Sequence, residues 1–465
     1  MPELPEVQTV IATLEKQMGH PVITGVSIIY PRILANKDPE EFSSALKGQK
    51  IEKYGRRGKF LLFTLTDYLL VAHLRMEGKF YYFHEETQPY KHTHLVFELD
   101  NGELHYNDVR KFGRFYLYSR EEEPQCLGKL GLEPFDVNLT PQYLKDYCRD
   151  SHTAIKSQLL DQQMIAGIGN IYANEICFAC HLDALRPAGF ISPQKWEEII
   201  HHTARILAEA IEQGGTTIRS YTSSLGVTGL FQQNLYVQSR QGEECRVCGS
   251  LIEKTRVNGR GTYYCPKCQK KEPIVIALTG SIGSGKTEVC GILLKKGYPV
   301  ISCDDVNSQL MKEKETLDKL AEILDCPAEQ LDRKYIASRI FSNEEDRRQV
   351  EEYLHGEILK RIWKWISENE DKGYLFVEVP LLFEVGWDRF FDYSLLVYAD
   401  EEALYKRLNQ HRFMTPEQVR ERLAAQMSVE EKLKRCDGSI RNNTTLKKLG
   451  ESVESFLSRL PAYGK

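Results

Sequence analysis

Two cysteine pairs followed almost at once by a phosphate-loop signature leave this chain little freedom. It must close a small metal-stapled unit and open an α/β unit with only the segment 269–279 between them. Cys245-x2-Cys248 and Cys265-x2-Cys268 are 16 residues apart, the spacing of two knuckles folded over one tetrahedral Zn²⁺. Gly249 and the tip Gly259-Arg260-Gly261 predict a β-hairpin between the knuckles. Four thiolates leave no open position for water, so the ion is expected to be structural. Cys177-x2-Cys180 has no second pair near it and falls in a helical pattern, which favours buried thiols.

After the linker Gln269-Lys270-Lys271-Glu272-Pro273, the apolar run Ile274–Leu278 reads as a buried strand. It leads into Gly280, Ser281, Ile282, Gly283, Ser284, Gly285, Lys286 and Thr287, a G-x4-G-K-T loop that opens a helical stretch. In that context backbone N–H groups cradle phosphates, Lys286 reaches the β/γ-phosphates and Thr287 is placed for the Mg²⁺ that accompanies ATP.

At 465 residues the chain exceeds one ordinary core. Its 42% hydrophobic and 27% charged content is globular, and no apolar run is long enough to cross a bilayer. The start MPELPEVQTV lacks the features of a secretory signal, so a cytoplasmic location is expected. In a reducing compartment twelve cysteines read as a metal site plus buried thiols. Residues 1–272 carry 32 Lys/Arg against 33 Asp/Glu, so bulk charge does not announce nucleic acid. Local clusters do: Arg56-Arg57-Lys59, Arg110-Lys111-Arg114, and the segment 251–272 with six Lys/Arg against two Glu.

Removal of Met1 would expose the secondary amine of Pro2. With an α-amine pKa of about 7.7–8.0 it is partly neutral near pH 7 and able to attack an electrophilic sugar carbon. Glu3 beside it could supply a proton. From spacing alone, a Pro-Glu turn capping a helix explains the same residues. Seven ordered segments add to this: MPELPEV, RRGKF at 56–60, HLRMEGKF at 73–80, DVRKFG at 108–113, IKSQLLDQ at 155–162, GIGNIYANE at 167–175 and GRGTYYCPKC at 259–268. Together they resemble the bacterial formamidopyrimidine-DNA glycosylases (MutM), over residues 1–269.

The resemblance implies Pro2 as Schiff-base nucleophile, Glu3 as essential acid, Lys59 on the RRGKF strand as proton donor for β-elimination, and Arg260 serving δ-elimination. It implies a wedge of Met76, Arg110 and Phe112 that fills the space left by an extruded base. It also implies a phosphate grip from His73, His92, Lys156, Asn170 and Arg260, with Gly167-x-Gly169-Asn170 as a backbone cradle. The Gly/Thr/Ser-rich stretch Gly214–Gly229 fits a loop closing over the flipped base.

Beyond the P-loop, Ile301-Ser302-Cys303-Asp304, Leu331-Asp332-Arg333, Leu354-His355, Val379-Pro380-Leu381-Leu382-Phe383-Glu384, Arg407–Arg412, Gln426 and Ile440-Arg441-Asn442 resemble the dephospho-CoA kinases. That implies Asp304 as base, and Arg407 and Arg412 as ATP-site residues that stabilise the transferring phosphate. Three positions depart from the pattern: Ser302 for an acid, Gly356 for a proline, and Glu288 for a small hydroxyl residue.

The expected architecture is multidomain: a β-sandwich catalytic domain (1–135), a helix-two-turn-helix domain (136–230), a zinc finger (231–272) and a P-loop α/β domain with a parallel sheet (274–465). The expected function is bifunctional. The first part is to excise oxidised purines from double-stranded DNA with β,δ-strand cleavage, as a monomer. The second is to phosphorylate dephospho-CoA with ATP and Mg²⁺. The alternative is an active glycosylase joined to a nucleotide-binding module that does not turn over.

Overall fold

The computed structural model of the chain describes residues 2–216, 231–327 and 330–464, with all their side chains except those of Arg333, His411 and Arg412. They form two compact units. One comprises 1–147, 153–186 and 195–270; the other comprises 148–152, 187–194 and 271–465.

The first unit opens with α1 (Leu4–Met18), whose apolar stripe Val7, Val10, Ile11, Leu14 and Met18 is buried. Then come β1 (Ile23–Ile28), α2 (Pro39–Leu46), β2 (Ile51–Arg57), β3 (Phe60–Leu65), β4 (Tyr68–His73), β5 (Lys79–Phe83), β6 (Thr93–Leu99), β7 (Gly102–Asn107) and β8 (Arg114–Ser119). They form two four-stranded antiparallel sheets, β1-β6-β7-β5 and β2-β3-β4-β8. The period-2 pattern of β3 sends Leu61, Phe63 and Leu65 inward, where they meet Phe80, Phe97, Tyr106 and Phe115 in one core.

Helices α3 (Pro141–Tyr147), α4 (Ile155–Leu159), α5 (Asn170–Ala179) and α6 (Pro193–Glu212) follow. β9 (Glu253–Val257) and β10 (Arg260–Tyr264) then pair as the hairpin expected between the knuckles, Arg260 opposite Val257.

The second unit is a parallel sheet ordered β12-β13-β11-β14-β15, from β11 (Ile274–Thr279), β12 (Val300–Ser302), β13 (Tyr374–Glu378), β14 (Tyr393–Tyr398) and β15 (Gly438–Arg441). β11 is buried along its whole length, as a central parallel strand must be. Its helices are α7 (Lys286–Lys295), α8 (Cys303–Leu310), α9 (Lys314–Ile323), α10 (Arg333–Ser342), α11 (Glu344–Glu368), α12 (Glu401–Arg412), α13 (Pro416–Ala424), α14 (Val429–Arg435) and α15 (Leu446–Ser458). Among the described residues no helix is long and apolar enough to cross a membrane.

Candidate active sites

In the first unit three segments distant in sequence meet at the turn 167–171. Pro2 and Glu3 are buried at the head of α1. The Glu3 carboxylate accepts the Ile171 N–H at 2.9 Å and the Tyr172 N–H at 3.5 Å, so it caps α5 from outside that helix. Gly169, the nominal cap, makes room: a Cβ there would lie 2.2 Å from Glu3 Cδ. Gly167 has φ +100°, and a Cβ on it would sit 2.5 Å from Leu4 Cδ1.

The cradle expected to hold phosphate therefore holds the Glu3 carboxylate. Asn170 is turned elsewhere, its amide donating to Gly261 O at 3.1 Å. The capping reading of the N-terminus also survives in part, because Glu6 Oε2 accepts the Glu3 N–H at 2.8 Å. Burial, reinforced by Glu6 and opposed by Lys59 and the two backbone donors, raises the Glu3 carboxyl to about 7.

Lys59 lies in the turn Gly58-Lys59 between β2 and β3, not on a strand as expected. A hairpin turn carries the amine beyond the sheet edge, where Nζ donates to Ile168 O at 2.8 Å. Burial lowers its pKa, against the raising influence of Glu3 and Glu6. The adjacent Arg56 and Arg57 share one carboxylate as counter-charge. Arg56 pairs with Glu133 at 2.6 Å and Arg57 at 2.9 Å, and Glu133 also accepts the Gly58 N–H at 2.6 Å. Burial works to raise Glu133, yet Arg56, Gly58 and Arg57 hold it below its ordinary range.

Lys156, expected as part of a phosphate grip, is fully buried. Its ammonium donates to Gly261 O at 2.8 Å and Thr262 Oγ1 at 2.7 Å, and burial brings it down to about 8. It anchors the zinc hairpin. Glu175 does the same for the segment before the knuckles, accepting the N–H groups of Tyr236, Val237 and Gln238 at 2.8, 3.0 and 2.8 Å. Arg260 stays exposed at the hairpin tip, close enough for its charge to depress Lys59 and Lys156.

Burial first, then Arg75 and Lys59, push His73 down to about 3, so its ring is neutral. Its Nδ1 accepts the Arg75 N–H at 3.0 Å, which leaves the proton on Nε2 as a donor. His92 is half-buried, with φ +76°. Met76 is half-buried in the turn after β4.

Arg110 and Phe112 project from the β7–β8 loop, the guanidinium 4.8 Å from the ring centre. That loop is built on Asp108, fully buried, which accepts the N–H groups of Arg110, Phe112 and Gly113 at 3.0, 2.8 and 2.8 Å. Asp108, Glu133 and Glu175 were missed as anchors. Their partners are backbone N–H groups, and for Glu133 also arginines remote in sequence, which no side-chain pattern discloses. Residues 217–230, most of the expected lesion loop, lie outside the described residues, as does the side chain of Arg412.

The four knuckle sulfurs lie within 4.8 Å of one another, with Cys245–Cys268 at 3.9 Å and Cys248–Cys265 at 3.4 Å. These bracket the edge of about 3.8 Å of a tetrahedron with Zn–S bonds of about 2.3 Å, so the set fits a four-thiolate zinc site. Bound there, zinc supplies folding energy to a hairpin that is otherwise largely exposed. Cys177 and Cys180 are both buried, and burial pushes the Cys177 thiol up to about 12, as inert thiols require.

In the second unit the P-loop joins β11 to α7. Gly283 and Gly285 have φ +76° and +96°, and a Cβ on Gly280 would lie 2.0 Å from Val397 O. Ser281 and Ser284, within the loop, are buried. Ile282, Gly283, Gly285, Lys286 and Thr287 line a cavity of about 640 Å³ that they share with Glu288, Asp304, Glu378 and Arg407. Such a cleft at the carboxyl ends of the strands, where β11 is flanked by β13 and β14, is where open α/β sheets bind ligands. Arg407 donates to Asn442 Oδ1 at 3.3 Å, and Asn442 donates to Ser284 O at 2.9 Å, tying α12 to the loop.

Family models match in the order these units suggest. They are the formamidopyrimidine-DNA glycosylase N-terminal domain at residues 1–115, its H2TH domain at 130–222, the zinc finger found in FPG and IleRS at 242–271, and dephospho-CoA kinase at 274–448. The formamidopyrimidine-DNA glycosylase of Bacillus cereus (strain ATCC 14579) is 47% identical over 276 residues, covering 58% of this chain and all of that protein. The Exiguobacterium protein of the same name is 46% identical over 275 residues, with the same coverage.

Among solved structures, the Lactococcus lactis Fpg in complex with an abasic-site DNA matches with TM-score 0.54 and 37% identity. It too covers 58% of this chain and 100% of that one. The wild-type L. lactis enzyme with a DNA containing an oxidised pyrimidine matches with TM-score 0.54, 36% identity and the same coverage. Residues 1–271 thus place the chain in the formamidopyrimidine-DNA glycosylase family of DNA-repair glycosylase/lyases, with a dephospho-CoA kinase domain following at 274–448.

Proposed function

We propose that the first unit excises oxidised purines, 8-oxoguanine and formamidopyrimidines, from double-stranded DNA and cuts the strand by β,δ-elimination. The second unit transfers the γ-phosphate of ATP to the ribose 3′-hydroxyl of dephospho-CoA. The observation that carries the first reading is the meeting of Pro2-Glu3 and Lys59 at the 167–171 turn, with an acid of pKa about 7. The Pro2 nitrogen forms a bond to C1′ while the glycosidic bond breaks and its electron pair leaves with the base. A carboxyl near neutrality holds a proton for the sugar ring oxygen. Lys59 serves the β-elimination and Arg260 the δ-elimination. Exposed Arg110 and Phe112 are placed to enter the duplex with Met76, and His73, His92, Arg260, Lys156 and Asn170 shape the phosphate contacts, the last two through the hairpin.

The kinase reading rests on Lys286, Thr287 and Asp304 lining one cavity. Asp304 acts as base towards the hydroxyl, while Arg407, and Arg412 by resemblance, neutralise the moving phosphate. Thr287 and Asp304 offer the hard oxygen donors that suit Mg²⁺, which when bound neutralises phosphate charge. Glu288 lines the same cavity and favours the second reading, a nucleotide-binding module that does not turn over.

Both halves are tested on the intact chain. Borohydride should trap a covalent adduct on lesion-containing duplex, and Pro2→Gly should abolish it; an undiminished adduct in that variant refutes the Pro2 assignment. ADP release should depend on dephospho-CoA and vanish in Asp304→Ala. ATP binding with no acceptor-dependent ADP release selects the second reading.

A further inference from the structure

The segment Ile301-Ser302-Cys303-Asp304 brings Asp304, at the start of α8, to the P-loop cavity, and besides Glu288 the cavity holds a carboxylate from the strand β13. Ser302 and Glu378 are the last residues of the adjacent parallel strands β12 and β13, and they stand opposite each other in register. On its other side Glu378 is in register with Leu278 of β11, the strand that feeds the P-loop. Its side chain is buried yet lines the cavity beside Lys286, Thr287 and Asp304.

The electrostatics agree with that placement. Burial raises the Glu378 carboxyl, the charge of Lys286 and the nearby Ser302 hydroxyl draw it back, and Asp304 and Asp305 push it up again. Lys286 is lowered by burial and pulled up most by Glu378 and then by Asp304. Lys286 itself folds back to donate to Gly280 O at 2.6 Å and Ser281 O at 3.2 Å, so Glu378 is not consumed by a direct pair with it.

We propose that Glu378, paired in register with Ser302, shares with Asp304 and Thr287 the divalent cation that accompanies the nucleotide phosphates. This rests on the reading of the P-loop as a site for metal-bound ATP. Ser302 is then a positioning residue. Parallel pairing sets the two residues side by side at the strand ends, from where the Ser302 hydroxyl is to orient a carboxylate supplied by the neighbouring strand. Side chains that orient a metal-holding carboxylate contribute about 10–100-fold in metal affinity.

The test uses the full chain with Mn²⁺ as the paramagnetic probe and ADP as the nucleotide, read by loss of the free Mn²⁺ resonance. Glu378→Gln should weaken Mn²⁺ in the ADP complex by about tenfold or more, while metal-free ADP, freed of a neighbouring negative charge, should bind no more weakly than to the wild type. Ser302→Ala, which removes only the hydroxyl, should weaken it by a smaller factor, and this variant carries the test if Glu378→Gln does not fold. Moving the acid across the register, in Glu378→Gln with Ser302→Asp, should restore most of the loss. Unaltered Mn²⁺ affinity in Glu378→Gln would overturn the proposal and leave Glu378 as a counter-charge to Lys286. A wild-type chain that fails to bind Mn²⁺ with ADP overturns the proposal and the P-loop reading together. Wild-type metal binding sensitive to Glu378, with no ADP release on adding dephospho-CoA, sustains the proposal and selects the nucleotide-binding module that does not turn over.

Discussion

The carboxylate of Glu3 accepts the N–H of Ile171 at 2.9 Å, so the acid at the head of α1 is fixed by the first turn of a helix 168 residues away. A helix N-terminus favours a carboxylate, yet burial outweighs it and the group titrates at about 7. Glu3 is therefore protonated below neutrality, and base excision should decline as pH rises through about 7. In Glu3→Gln that limb should be absent and single-turnover excision lower by about 10²–10⁴-fold. A wild-type profile flat from pH 6 to 8.5 would count against the assignment.

The same shift has a stability consequence. A carboxyl raised from 4.5 to about 7 on folding contributes stability that is complete below pH 4.5 and is lost as pH rises to 7. The loss is on the order of 3 kcal/mol. Thermal unfolding of Glu3→Gln against wild type should shift in favour of the variant between pH 5 and pH 8.

Gly169→Ala should damage the site without touching a charged group. The new Cβ would fall 2.2 Å from Glu3 Cδ and 2.5 Å from its Oε1, a carboxylate pinned by two N–H groups and unable to swing away. Overpacking of this kind costs about 1–3 kcal/mol. Melting temperature and excision rate should both fall, and an unchanged rate would show that Glu3 can relocate.

Asp108→Ala should disable the exposed wedge by releasing its loop. Three backbone N–H groups lose their acceptor, each costing roughly 1–3 kcal/mol if left buried. Excision from duplex should fall steeply, while cleavage of a single-stranded abasic site, which needs no extrusion, should be retained. Equal losses on both substrates would make Asp108 a general stability residue.

Removal of zinc should act through Gly261. Its carbonyl accepts both Lys156 and Asn170, and the knuckles fix the ends of the hairpin that presents it. Chelation, or Cys268→Ser, should abolish lesion-strand nicking and weaken duplex binding, with activity returning on added Zn²⁺ for the chelated protein only.

The metal knuckles and the P-loop were legible because their partners are local: thiolates in tight turns, and backbone N–H groups within one loop. That Arg56 and Arg57 are neutralised is hidden in the sequence because their counter-charge, Glu133, is more than seventy residues away. GIGN was recognised as an anion cradle, while the anion it holds here, Glu3, was not predictable from the motif.

Sequence alone determined the two-part architecture, the zinc ligands and the phosphate loop, since each is encoded by spacing within a short segment, whereas Pro2 and Glu3 became candidates only through the resemblance carried by seven ordered segments. Tertiary structure alone decided how those groups are tuned. Burial sets Glu3 at about 7, lowers Lys59, turns Lys156 inward to the hairpin, and brings Glu378 to the cavity beside Ser302. Desolvation and pairing depend on which distant segments exclude water from a group, and the order of residues along the chain does not state that.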